Sequence, residues 1–285
     1  MYNSNIYNLN NNDIKRLIII GDIHGDIKRF KTILIDANII NINFEWIAEP
    51  SNTIIVQLGD QVDSLNRNTN ENWEVLNDYE MIYFTEHLDN IARVKGGRCI
   101  SLIGNHELMN IIGDFTYVSP LNKKEEIRSS LFKPQGSIAL ILAKRPLIVK
   151  IKDLLFCHAK LNIKHLNILK KYNKDIFYIN TIWEDYLKNG KIKLEDKEIL
   201  DEIIIGSNGI LWNRDLNNIE ETSNLFKELY VSYMFLGHTA LSQVTILDEQ
   251  IIYCDTGISR AFGTNTYQYI DINNNSINIK TINDF

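Results

Sequence analysis

Leu17-Ile18-Ile19-Ile20-Gly21-Asp22-Ile23-His24-Gly25-Asp26 is the stretch that decides the fold. Four large aliphatic residues in a row are too few for an independent helix and lack polar alternation, so they read as a strand buried on both faces. The run stops at a glycine, and Asp26 then stands where it can cap a helix carrying Ile27, Phe30, Leu34 and Ala37 along one side. The unit is strand, turn, helix, with an Asp and a His displayed at the turn.

Outward from this unit, short apolar runs recur and end as abruptly. They are Thr53 to Leu58, Arg98 to Ile103, Asp153 to Cys157, Tyr233 to Leu236 and Gln250 to Cys254. Between the second and third strands, Trp73, Leu76, Tyr79, Ile82, Tyr83 and Ile91 recur at helical intervals and predict a helix over about Glu71 to Val94. Alternating strands and helices through the first third imply an α/β layered core. Pro134 to Ala143 reads as helical, and Pro146 to Ile151 with Asp153 to Cys157 reads as a hairpin turning at Lys152 and Asp153. From about 162 to 231 the pattern is mostly helical, an elaboration lying over one side of the core.

The chain has 285 residues, 45% hydrophobic and 23% charged, enough for a sizeable core. Residues 1–13 are polar and Asn-rich and are expected to be a loose tail, leaving 14–285 as a single domain. A formal charge of −6 supplies no global field for nucleic acid or an anionic membrane, so neither is an expected partner. No apolar run approaches the roughly 20 residues that span a bilayer. Cys99, Cys157 and Cys254 form no C-x-x-C pair and sit in or beside apolar runs, which suits buried free thiols in a reducing cytoplasm.

Chemistry concentrates just past the strand ends, where ligands of α/β sheets gather. In chain order stand Gly21-Asp22-Ile23-His24-Gly25, Gly59-Asp60-Gln61-Val62-Asp63, Gly104-Asn105-His106-Glu107, His158, and Gly237-His238-Thr239. Asp and neutral His are good ligands for first-row divalent metals, and the adjoining glycines permit close backbone approach. A lone His is ordinarily a hydrogen-bonded core or surface residue. Here four of the six histidines, all but His87 and His165, fall in the motifs, and packing does not explain that convergence.

These motifs resemble those of the calcineurin-like metallophosphoesterases, and within them the phosphoprotein phosphatases, with the Shewanella-like branch nearest. The branch likeness rests on Gly104 to Asn110 followed by Gly113-Asp114-Phe115 and Tyr117-Val118, on Leu211-Trp212-Asn213-Arg214, and on Asp255 to Gly263. The resemblance implies two mixed β-sheets packed as a sandwich and flanked by helices. It also implies two divalent metal ions, manganese first, with iron or zinc as alternatives. One would be held by Asp22, His24 and Asp60, the other by Asp60, Asn105, His158 and His238, with Asp60 bridging. His106 would act as general acid oriented by Asp63, and a water shared by the metals would attack directly. The implied partner is a phosphoprotein, on Ser/Thr or Tyr, or a phosphorylated small molecule.

Two positions depart from that pattern. Ser64 stands where relatives carry an Arg that clamps the phosphate, so phosphate binding would fall to Arg214, Arg67 and Asn105. Ala159 replaces a usual Gly after His158, which predicts an altered loop with Lys160 leaning toward the phosphate. Trp212 and Phe262 could line the substrate cleft, although an aromatic near a strand or loop end is more often core, and Arg260 is open to the same two readings. The competing functions are a dinucleoside polyphosphate hydrolase with the same metal chemistry and a non-catalytic binding module.

Overall fold

The computed structural model describes residues 8–9, 14–67, 77–120, 122, 124–215 and 219–284. Two mixed sheets form its centre. One contains β2 (Arg16–Ile20), β3 (Ile54–Gln57) and β4 (Arg98–Ser101), all parallel, continued from β2 by the antiparallel pair β10 (Thr266–Asn273) and β11 (Ser276–Asn283). The other runs β1 (Asn8–Leu9), β5 (Ile148–Ile151), β6 (Leu154–Cys157), β7 (Tyr233–Leu236), β9 (Ile251–Tyr253) and β8 (Thr245–Leu247). Leu17, Ile19, Val56 and Ile270 of the first sheet pack against Val149, Phe156, Phe235 and Ile252 of the second, making the sandwich core.

Helices cover both outer faces, which explains why the central strands are unbroken apolar runs. On the first sheet, Phe30, Ile33 and Leu34 of α1 (Ile27–Asp36) and Met81, Leu88 and Ala92 of α2 (Asp78–Val94) meet Ile18, Ile20 and Ile55. Asp26 caps α1 as expected, its side chain accepting from Arg29 N. Short helices α3 (Asn105–Ile112), α4 (Glu125–Phe132) and α5 (Ser137–Leu142) follow. Over the second sheet lie α6 (Ile163–Lys171), α7 (Tyr178–Asn189), α8 (Lys197–Ile199) running into a π-helical turn (Leu200–Ile205), and α9 (Ile219–Leu229). Their Leu166, Trp183, Ile203 and Phe226 pack into one cluster with Leu155 and Met234.

Several expectations are corrected. Helix α2 does not run unbroken from Glu71: Asn77 has an extended backbone and its side chain accepts from Tyr79 N and Glu80 N, so the helix starts at Asp78. Trp73 and Leu76 lie outside the described residues. Helix α5 starts at Ser137, because Pro134, Gln135 and Gly136 form the turn before it. Part of the expected loose tail is ordered. Leu9 lies in β1, which pairs parallel with β5, and its carbonyl accepts from Lys152 N at 3.0 Å. The hairpin at Lys152 is as expected, with Lys152 at φ 55°. All three cysteines are buried and free. Among the described residues no helix is long and apolar enough to cross a membrane.

Away from the motifs, His165 fastens α6. Its Nδ1 accepts from Asn162 N at 3.3 Å while Nε2 lies 2.8 Å from Asn208 O, an arrangement that needs the neutral ring. Burial pushes its pKa down to about 4. A base depressed in the folded state stabilises fully above its unfolded pKa of about 6.5 and loses that contribution as pH falls toward 4. Urea melts should therefore lose up to about 3 kcal/mol over this window, and His165→Gln should flatten that part of the profile. An unchanged slope in the variant would remove His165 from the acid response.

Candidate metal centre

The motif residues meet at the carboxyl ends of the central strands: Asp22 and His24 after β2, Asp60 and Asp63 after β3, Asn105 and His106 after β4, His158 after β6, and His238 after β7. Glu107 locks two of these turns together. Its fully buried carboxylate accepts from Gly104 N at 2.7 Å and Asp60 N at 2.9 Å through Oε2, and from Gln61 N at 2.8 Å and Val62 N at 3.3 Å through Oε1. The two loops approach closely because Gly104 has no side chain; a Cβ there would overlap Asp60 Oδ1. His24, Asp60, Asp63 and His238 all adopt positive φ, between 42° and 71°, a conformation that non-glycine residues rarely hold without such support.

Each histidine is oriented by its outer nitrogen. His24 Nδ1 lies 3.0 Å from Val62 O, His158 Nδ1 2.8 Å from Leu58 O, and His238 Nε2 3.2 Å from Trp212 O. With those nitrogens donating, the neutral rings turn His24 Nε2, His158 Nε2 and His238 Nδ1 inward as lone pairs, although at His158 burial is outweighed by the Asp60 carboxylate 3.3 Å from Nε2, which leaves the pKa raised. Burial, then His106 and Arg67, hold His24 well below its ordinary pKa, and burial, then His158, bring His238 down to about 3, so both rings are neutral.

The inward atoms cluster around Asp60. His24, Asp60 and His106 form one compact group and Asp60, His158 and His238 another. Asn105 Oδ1 lies 2.9 Å from His158 Nε2 and 2.8 Å from His238 Nδ1. A shared oxygen between inward lone pairs is the packing expected of ligands around a common cation.

Asp22 is the clearest orphan. It is buried, its Oδ2 accepts from His238 N at 2.9 Å, and its Oδ1 has no hydrogen-bond partner. Burial, with Asp255 and Asp60 nearby, raises its pKa well above the usual carboxylate range. A buried carboxylate oxygen with no donor, set among other carboxylates, calls for a cation. The donor set fits two divalent metals sharing Asp60. The compact first group contains His106 in place of Asp22, whose carboxylate is drawn to the His238 backbone.

His106 belongs to a second network. Its Nδ1 lies 2.8 Å from Asp63 Oδ2, while Asp63 Oδ1 accepts from Asn110 Nδ2 at 2.8 Å and Arg128 at 3.1 Å. Arg128, completely buried, also pairs with Asp78 at 2.8 Å. Burial alone would lower the His106 pKa, but Asp60 and Asp63 outweigh it and leave it raised.

The rim is partly as expected. Arg67 reaches the centre, NH1 3.5 Å from His24 Nε2 and NH2 3.3 Å from His106 Nε2, and its guanidinium lies over Phe262 at 4.5 Å and Tyr117 at 5.3 Å. Arg214 is exposed and donates to His238 O at 3.2 Å. Phe262 and Trp212, both half-buried, stand against His24 and His238, and Trp212 also packs against the core cluster over the second sheet. Ala159 adopts no positive φ, and its N–H donates to Ile210 O at 2.9 Å. Lys160 lines a separate cavity with Asp215 and Glu221. Arg260 is structural, paired with Asp26 at 2.8 Å.

A family model described as calcineurin-like phosphoesterase matches residues 15–242, most of the chain and every residue of the cluster. The chain belongs to the calcineurin-like phosphoesterases. It is 28% identical over 264 residues to Shewanella-like protein phosphatase 1 of Plasmodium berghei, covering 86% of this chain and 67% of that one. Shewanella-like protein phosphatase 2 of Arabidopsis thaliana is 35% identical over 111 residues, 39% of this chain and a quarter of the relative. A crystal structure of a cold-active protein-tyrosine phosphatase from a psychrophilic Shewanella species superposes with a TM-score of 0.74 at 21% identity, covering 96% of this chain and 82% of that one. The metallophosphoesterase sandwich and the hydrolase class follow, and the family's use of divalent metals agrees with the cluster around Asp60.

Two parts of this phosphoesterase site escape sequence reasoning. Glu107 is visible in Gly-Asn-His-Glu, but its task is to bind backbone N–H groups, which leave no side-chain signature. Arg128 lies in α4 with no motif around it. Replacing Glu107 by Gln sets an amide donor against backbone donors and should cost about 2–4 kcal/mol in urea unfolding, with lower metal occupancy by elemental analysis. Unchanged stability and metal content would show that Glu107 is not the clamp.

Proposed function

We propose that this chain is a two-metal phosphomonoesterase acting on phosphoproteins, and the observation that carries the reading is Asp60, shared by both ligand groups, beside a His106–Asp63 pair. Asp22, His24 and Asp60 would hold one divalent ion, and Asp60, Asn105, His158 and His238 the other, with manganese the first candidate. When bound, such ions supply positive charge to the phosphoryl oxygens and make a shared water acidic enough to attack at neutral pH.

The protein's own groups supply the rest. Asp63 accepts from His106 Nδ1, fixing the ring so that Nε2 points toward the cluster, and together with Asp60 makes the imidazole more basic than an ordinary histidine. A proton carried on Nε2 would pass to the leaving oxygen. Arg128, donating to Asp63, holds the carboxylate in place. Arg67 is positioned to take over the task of the Arg missing at position 64. Its guanidinium lies against His106 Nε2, and a phosphoryl group arriving there offers it anionic oxygens in place of imidazole nitrogens. One nitrogen of His24 cannot serve both a guanidinium and a cation, so gripping substrate requires Arg67 to leave His24. Arg214 and Asn105 complete the phosphate contacts from the opposite side. The Shewanella-like phosphatase relatives support protein substrates over nucleotides.

Two measurements test this. Manganese-loaded protein should release phosphate from p-nitrophenyl phosphate and from phosphopeptides, and His106→Asn should lose at least about 100-fold in kcat while keeping its metal. Metal-stimulated turnover absent from every phosphomonoester would sink the proposal. Arg67→Ala should lower kcat/KM by about 10–100-fold, mainly through KM, as loss of a charge-assisted phosphate contact requires. An unaltered KM would return Arg67 to the surface.

A further inference from the structure

The two sheets each leave one edge open near the other, β4 in the first and β1 in the second, and between them lies a cavity of about 560 Å³. None of the metal-centre residues lines it. Its volume is within the range of small-molecule sites.

The charge balance of its wall is uneven. Four cationic residues line it, Arg93, Arg98, Lys144 and Arg145, against the carboxylates of Glu86, Asp89 and Glu184. Every carboxylate is engaged: Asp89 takes Arg93 at 2.7 Å and Arg98 at 2.9 Å and also caps Cys99 N at 2.8 Å, Glu86 takes Lys144 at 2.9 Å, and Glu184 takes Lys188. Arg145 has no carboxylate in direct contact among the described residues, and Glu107 and Glu86 act on it from a longer distance. Its buried guanidinium donates only to neutral acceptors: Gln61 Oε1, Ile82 O at 2.9 Å and Thr85 Oγ1 at 2.9 Å. Five N–H groups are available and three are used. Buried Ser101 is a further polar lining residue. Leu9, Ile100, Pro146 and Val149 add an apolar surface to the same cavity.

A buried guanidinium with two N–H groups unused and an apolar floor together describe what is missing. We infer that the cavity between the open sheet edges is a second ligand site, taking a small monocarboxylate with an apolar body whose carboxylate pairs with Arg145. The apolar floor favours a carboxylate with a hydrocarbon body over inorganic phosphate. The site is wired to the metal loops. Gln61, which Arg145 holds, donates to Gln57 Oε1 at 2.6 Å, and Gln57 donates to Gly21 O at 3.1 Å and Gly59 O at 2.6 Å. A carboxylate on Arg145 competes with Gln61 for the same guanidinium and so loosens one support of the loop carrying Asp60.

The experiment is a titration of ¹⁵N-labelled, metal-loaded full chain with hexanoate and with benzoate. Saturable shifts are expected at the Ser101 amide, the Arg145 Nε–H and the Gln61 side-chain amide. Hexylamine, with the same body and opposite charge, should leave them unmoved, and inorganic phosphate should bind at least tenfold more weakly than hexanoate. Arg145→Lys should weaken hexanoate at least tenfold. Because that variant also touches the interior, the exposed Lys144→Glu serves as the second, replacing a lining cation by an anion with the same tenfold loss expected. Absence of saturable shifts with both carboxylates, phosphate binding as tightly as hexanoate, or full affinity in Lys144→Glu would each overturn the assignment.

Discussion

The site depends on one carboxylate bound by four backbone amides. Glu107 holds the turn after β3 to the start of α3, and both carry cluster residues whose backbones would relax without it. Left-handed conformations at His24, Asp60, Asp63 and His238 are each worth on the order of 1–3 kcal/mol of strain. Packed sheets and the Glu107 clamp make those conformations the least costly ones available. Side-chain direction is thereby set before any ligand arrives, which is where the precision of a two-metal site has to come from.

Charge is arranged in two adjoining zones of opposite need. Around Asp22 the carboxylates Asp60 and Asp255 crowd together with too few donors, a negative hollow that cations relieve. Beside it, Asp63 is saturated by His106, Asn110 and Arg128, so its charge is already spoken for. His106 stands at the boundary. Saturation on one side and deficit on the other set the His106–Asp63 pair apart from the cluster around Asp22, although both contain an Asp and a His.

Much of this was legible because it rests on residue type at strand ends. The apolar runs marked the central strands, and Gly-Asp-x-His-Gly with its companions marked the cluster. What stayed hidden depends on tertiary placement. Arg128 lies in a short helix of ordinary composition, and only burial against Asp63 and Asp78 reveals it. Arg67 is a phosphate-binding candidate in sequence, but only the folded loop after Asp63 shows it turned back between Tyr117 and Phe262. Strands β10 and β11 did leave a trace, Tyr267 and Tyr269 at alternate positions and then Asn274-Asn275, both at positive φ, but their Asn-rich composition masked it. Helix α2 was overextended at its start because helical spacing carries no information about where a cap interrupts it.

The position of β10 has a consequence for synthesis. This strand pairs antiparallel with β2, Arg16 meets Asp271 at 2.8 Å, and Arg29 donates to Thr264 O and to Asp284. Strand β2, which delivers Asp22 and His24, is therefore flanked on one side by a segment translated some 250 residues later. A ribosome can release the β2–β3–β4 half of that sheet early, but the open side of β2 stays unpaired until the last strands emerge. During that interval the strand that presents Asp22 and His24 is also an exposed sheet edge, the stage at which a nascent chain is most exposed to wrong partners.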